Sequence, residues 1–214
     1  MFAAASLTDA FEEIATAFAD GEDVDVELNF LASSDLAAQI IEGAPADVFA
    51  SADEASMARI THGGLAEAPV VFAENRMSIA VQSGNPKGIQ SLGDLEDPEL
   101  VVVLCNEECP AGDYAGEILD DAAVAIEPDS LEADVRGVLM RVGLGEADAG
   151  IVYATDVAAD PSVEGVDIPE EHNVVATYPI AALKAAHGDA RVFVDFVQSE
   201  PARRILGEYG FGVP

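Results

Sequence analysis

Residues 2–18 read FAAASLTDAFEEIATAF, and residues 24–42 read VDVELNFLASSDLAAQIIE. Each stretch passes from a short apolar or alternating run, through serine, into apolar residues at helical spacing. The helical positions are Leu7, Phe11, Ile14, Ala15 and Phe18 in the first, and Leu36, Ile40 and Ile41 in the second. A strand that meets a serine and turns into a helix, then does so again, opens a series of βαβ units. Working outward, the same rhythm continues. Residues 47–50 read as a strand and 53–62 as a helix, 69–81 (PVVFAENRMSIAV) as two strand pieces, and 100–104 as a buried strand. Helices are predicted over 112–123, 131–142, 189–198 and 201–208, and strands over 149–153 and 174–183. Strands separated by helices define an α/β fold with a mostly parallel sheet. The Gly- and Pro-rich stretch 84–93 (GNPKGIQSLG) is the expected loop near a lobe boundary.

The chain has 214 residues, 41 of them Asp or Glu against 9 Lys or Arg, for a formal net charge of −32. Half of it is hydrophobic, so it is not a disordered acidic tail. A chain of this length buries roughly 70% of its unfolded surface, enough for one large domain or two small lobes. With aromatics at 6% and no Trp, the core rests on Ala, Val, Ile and Leu. No basic footprint exists to neutralise nucleic-acid phosphates or to dock on an anionic membrane. The acids are spread along the whole chain, a surface property that suits high salt, where the screening length falls to about 3 Å near 1 M. A halophilic setting is therefore expected.

What precedes the helices carries the chemistry. Ser6, Ser33 with Ser34, and Ser51 each stand before a helix, and Pro110-Ala111-Gly112 opens another. Each has a plain structural role, since serine caps helices and proline suits the first turn. Together they point to an anion. Helix N-termini offer free N–H groups and the positive end of the dipole, and ligands of doubly wound sheets bind beyond the carboxyl ends of strands. Hydroxyls and N–H groups hold an oxyanion without Lys or Arg, which a chain so acidic would need.

The segments AAASLTDAF (3–11), ASS (32–34), QIIEGAPADVFASAD (39–53), PAGDYA (110–115), GEADAGIVYATD (145–156), YPIA (178–181) and GFGVP (210–214) run along nearly the whole chain. In this order they resemble the molybdate-binding proteins of ABC importers, the ModA type. The resemblance implies a two-lobed type II periplasmic-binding-protein fold, with residues 1–78 and 183–214 as lobe 1 and 79–182 as lobe 2. Each lobe would be a mostly parallel sheet flanked by helices, with the ligand in the cleft. It implies that Ser6 and Ser33 offer hydroxyl and N–H, Ala111 and Val152 offer backbone N–H, and Tyr178 offers its phenol. The ligand is molybdate or tungstate, a proton-free dianion held by donors alone, with the molybdenum reached by no protein atom and no cofactor required. The partner would be an ABC permease, and the protein an extracytoplasmic monomer whose export signal or lipid anchor lies outside this sequence. The first strand is expected to be clipped at Met1. Sulfate or another oxyanion is the alternative ligand, and a ligand-sensing effector domain the alternative role.

Cys105 and Cys109 stand four apart just before the PAG segment, a departure from the commoner pattern of this family. In an exported protein they could form a small disulfide loop; free thiols or a metal site are the alternatives. His62, His172 and His187 are scattered and show no metal-ligand spacing. No GxSxG, Walker A or GxGxxG motif opens a helix, and acid pairs such as Glu12-Glu13 follow from composition, so no enzyme is expected. Arg136 reads as a helix-surface ion pair, Tyr153 as packing, and Asp156 as a cap or brace for the Val152 segment.

Overall fold

The computed structural model describes residues 1–21 and 24–214. In chain order the elements begin with β1 (Phe2–Ala4), a 3-10 turn at Ala5–Leu7, α1 (Thr8–Gly21), β2 (Asn29–Leu31), α2 (Ser33–Ile41), β3 (Val48–Ala50) and α3 (Glu54–His62). They continue with β4 (Val70–Gln82), β5 (Val102–Cys105), α4 (Pro110–Asp121), β6 (Ser130–Glu132), α5 (Val135–Gly143) and β7 (Ala149–Tyr153). The last are α6 (Ala154–Ala159), β8 (Val163–Asp167), β9 (Val175–Ala182), α7 (Ala190–Val197) and α8 (Glu200–Glu208). The chain forms two compact units: unit 1, Met1–Glu74 with Thr177–Pro214, and unit 2, Asn75–Ala176. It passes from one to the other inside β4 and again inside β9. The divisions fall at 74/75 and 176/177, four and six residues before the 78/79 and 182/183 expected from the sequence, so Tyr178 belongs to unit 1.

In unit 1, β1 lies between β2 and β3, parallel to both, and β9 runs antiparallel to β3. One layer packs Leu36 and Ile40 of α2 and Met57 and Ile60 of α3 against Phe2, Phe49 and Ala181. Another is aromatic. Phe11 and Phe18 of α1 meet Phe72 at 5.5 Å and Phe193 at 5.1 Å between ring centroids. Full burial of one such side chain is worth about 1.5–3 kcal/mol, so this core anchors the two separated parts of the chain that make up unit 1.

In unit 2, β5 lies between β6 and β7, parallel to both, and β4 runs antiparallel to β7 and β8. All of β5 and β7 is buried. Gly150 lets α5 lie close on this sheet, because a Cβ there would stand 2.5 Å from Val138 Cγ1 and 2.8 Å from the Val103 carbonyl oxygen.

Several expectations are corrected. The run 24–31 is a strand only at Asn29–Leu31, because β1 offers three residues to pair with. The stretch read as two strand pieces over 69–81 is one continuous strand, Val70–Gln82. The helix expected over 131–142 begins at Val135, behind strand β6. The stretch 84–93 lies inside unit 2. Elements α6 and β8 were not expected from the sequence.

Candidate functional site

In unit 1 the serine junctions gather at the carboxyl ends of parallel strands. Ser6 lies in the 3-10 turn after β1, and Ser33 opens α2 after β2, with Ala4 and Leu31 side by side in the ladder. Both serines are buried, Ser33 to 1% exposure. Ser6 Oγ shares a 3.0 Å hydrogen bond with the phenol of Tyr178. The Ser51 N–H donates to the Pro179 carbonyl at 2.9 Å, which extends β9 beyond β3 and brings Tyr178 to this end of the sheet. Tyr178 is fully buried, edge-on to Phe211 at 5.5 Å and Phe72 at 6.3 Å. Ser33 Oγ accepts the Ala52 N–H at 3.0 Å. Ser51 has the plain role: its hydroxyl donates to Asp53, the N-cap of α3, at 2.8 Å.

In unit 2 the expected donors are backbone groups. Cys105 ends β5, and Cys109 is the N-cap of α4; the two are joined by a disulfide with Cα atoms 6.1 Å apart. In the first turn Pro110 has no N–H, and the N–H groups of Gly112 and Asp113 both go to the Cys109 carbonyl, at 2.9 and 3.0 Å. Among the described residues this leaves the Ala111 N–H as the first-turn donor with no backbone acceptor. Val152 lies in β7, beside β5. The β5 pairing stops at Val103↔Gly150, while on the other side the last three residues of β7 pair with Met77, Ser78 and Ile79 of β4, Val152 opposite Ser78. Ala111 and Val152 therefore stand at the carboxyl ends of neighbouring parallel strands.

Just after β7 lies a polar cluster. Asp156, 2% exposed in the first turn of α6, has Arg136 Nη1 of α5 at 4.0 Å. The Asn75 amide donates to the Thr155 hydroxyl at 2.8 Å. A buried carboxylate needs such a partner, so Arg136 and Asp156 act as a pair. Tyr153 is buried, a packing residue. Sequence reasoning missed Asn75 and Thr155, and Asn75 sits where the run was read as a break between strands. Among the described residues, no group of three or more His, Cys, Asp and Glu side chains converges as a metal centre would require.

A cavity of about 660 Å³ opens in unit 1 at the other end of the strands, lined among others by Met1, Val48, Leu183 and Phe193. It includes none of Ser6, Ser33 and Tyr178, and its charged lining is chiefly carboxylate (Asp25, Glu27, Asp47, Asp189). Such a lining repels an anion, so this volume does not suit the oxyanion expected from the sequence.

The family model of the bacterial extracellular solute-binding proteins matches residues 1–212. The molybdate-binding protein ModA of Mycobacterium tuberculosis is 43% identical over 219 residues, covering 100% of this chain and 84% of that protein. Its counterpart in Escherichia coli is 34% identical over 227 residues, covering 100% and 88%. The periplasmic molybdate-binding protein of Azotobacter vinelandii superposes with a TM-score of 0.87 at 21% identity, covering 100% of this chain and 98% of that one. The fold is thus that of the two-lobed type II periplasmic binding proteins. The chain belongs to the bacterial extracellular solute-binding proteins and, within them, to the ModA-type family. Among the described residues no helix is long and apolar enough to cross a membrane.

Proposed function

We propose that the protein captures molybdate or tungstate outside the cytoplasm and delivers it to an ABC permease, acting as a monomer and by binding alone rather than catalysis. Ser6, Ser33 and Tyr178 supply the donors of unit 1, and Ala111 and Val152 those of unit 2. The observation that carries this reading is the pairing of buried hydroxyls in unit 1, Ser6 with Tyr178 at 3.0 Å, beside Ser33 at the end of the next strand. Donors so placed suit a tetrahedral dianion that brings acceptors only. A hydrogen bond to a charged group is worth about 1.5–3 kcal/mol net, so a handful outweighs the ordering cost of binding and supports an affinity in the micromolar range or tighter. Selectivity against sulfate would follow from the smaller size of that ion.

Calorimetric titration with molybdate, tungstate and sulfate in about 2 M KCl, where surface repulsion is screened, tests the reading. Tight binding of the first two, little heat from sulfate, and weakened binding by Ser33→Ala are expected. A folded protein that ignores all three anions would overturn it.

A further inference from the structure

The β5–α4 turn is held far more firmly than a helix start requires. Asn106 alone fixes it from both sides. Its N–H and its side-chain amide both donate to the Glu132 carbonyl of β6, at 2.9 and 3.2 Å. Its side-chain oxygen accepts the N–H groups of Glu108 and Cys109, each at 3.0 Å. The helix then rests directly on the turn. A Cβ at Gly112 would stand 2.0 Å from the Asn106 carbonyl oxygen and 2.7 Å from that of Cys105. The disulfide closes this arrangement covalently, and both of its cysteines are buried, at 2% and 3% exposure. A bond that spans four residues removes little chain entropy from the unfolded state, so its contribution to global stability is small. Its effect is local: it ties the end of β5 to the N-cap of α4, in whose first turn the Ala111 N–H finds no backbone acceptor among the described residues.

We propose that the Cys105–Cys109 disulfide is a positioning element of the oxyanion site, fixing the first turn of α4 so that the Ala111 N–H is held ready for the anion. The proposal rests on the oxyanion reading given above. Glu107 and Glu108 are the exposed residues of this turn and repel an anion, so the gain from this end of the helix depends on where the N–H sits rather than on charge.

The test compares the native protein with Cys105→Ser/Cys109→Ser in about 2 M KCl, with the fold checked by circular dichroism and thermal melting. Molybdate affinity is measured by calorimetry, and the amide signals of Ala111, Ser6 and Ser33 are followed by ¹⁵N nuclear magnetic resonance during the titration. The double variant is expected to bind about ten- to a hundredfold more weakly, as for one lost hydrogen bond to a charged group. Its Ala111 signal should respond less to molybdate, while Ser6 and Ser33 still respond. A merely structural disulfide would lower the melting temperature and leave the Ala111 response intact. Affinity within about twofold of native, with an unchanged Ala111 response, would overturn the proposal. Should the serine pair not fold, Cys105→Ala/Cys109→Ala, which buries no new polar group, carries the same comparison. Failure of the native protein itself to bind molybdate would instead remove the oxyanion reading, and this proposal with it.

Discussion

The donors proposed for the two units would meet the same chemical demand by different means. In unit 1 the proposed donors are side chains, the hydroxyls of Ser6, Ser33 and Tyr178, each hydrogen-bonded within the protein and buried. In unit 2 they are main-chain groups, Ala111 in the first turn of α4 and Val152 one residue before the end of β7. A hydroxyl donor is fixed by residue identity and can be removed by one substitution. A backbone donor survives almost any substitution at its own position and fails only when the neighbouring geometry fails. The sensitive residue in unit 2 should therefore be the one next to the donor.

Gly112→Ala gives the sharpest test. Its methyl group would meet main-chain atoms that cannot swing aside, so a loss of about 3 kcal/mol or more in urea unfolding is expected, with molybdate binding weakened severely. Ala111→Gly, at the donor itself, keeps the N–H and should change affinity by less than about threefold, given the modest backbone cost of glycine. Equal effects at the two positions would break the comparison.

Ser33→Ala comes next, because it acts twice. It removes one proposed anion donor and the acceptor of the Ala52 N–H hydrogen bond. About 1 kcal/mol of stability should go with that hydrogen bond, and calorimetry should show affinity reduced about tenfold or more. Tyr178→Phe is milder. The ring keeps its edge-on contacts with Phe72 and Phe211, so a stability loss of about 1 kcal/mol is expected for the hydrogen bond to Ser6, together with weaker binding in the same titration.

Asp94 lies in neither set of donors and supplies the smallest effect. The Gln90 N–H, then the hydroxyl and N–H of Ser91, hold its carboxyl below the usual range. A depressed carboxylate stabilises the fold above its unfolded pKa, and the contribution fades as pH falls through the lower folded value. Urea midpoints of native and Asp94→Asn protein should thus differ slightly at pH 7 and converge in acid, with molybdate affinity unchanged.

The same contrast explains what could be read from the sequence. The βα alternation and the serine junctions of unit 1 were legible because hydrophobic period and residue type both signal them. Ala111 and Val152 are proposed only through the resemblance, since nothing about alanine or valine advertises a donor role. The unbroken β4 was hidden by Glu74-Asn75-Arg76, a polar triplet that reads as a turn. Asn75 is tolerated there because its amide finds Thr155, 80 residues away. Strand β6 merged with the helical pattern that follows it, and α6, with six residues, is too short to show a period.

One feature of the chain path bears on how the protein is made. Unit 2 is a single uninterrupted segment, whereas unit 1 is assembled from both ends of the sequence. On the ribosome, unit 2 is complete while Phe11 and Phe18 still lack Phe193 and Phe196. The first half to be synthesised is therefore the last to be finished. Until the final helices emerge, its exposed aromatic face is the part of the nascent chain most in need of protection from aggregation.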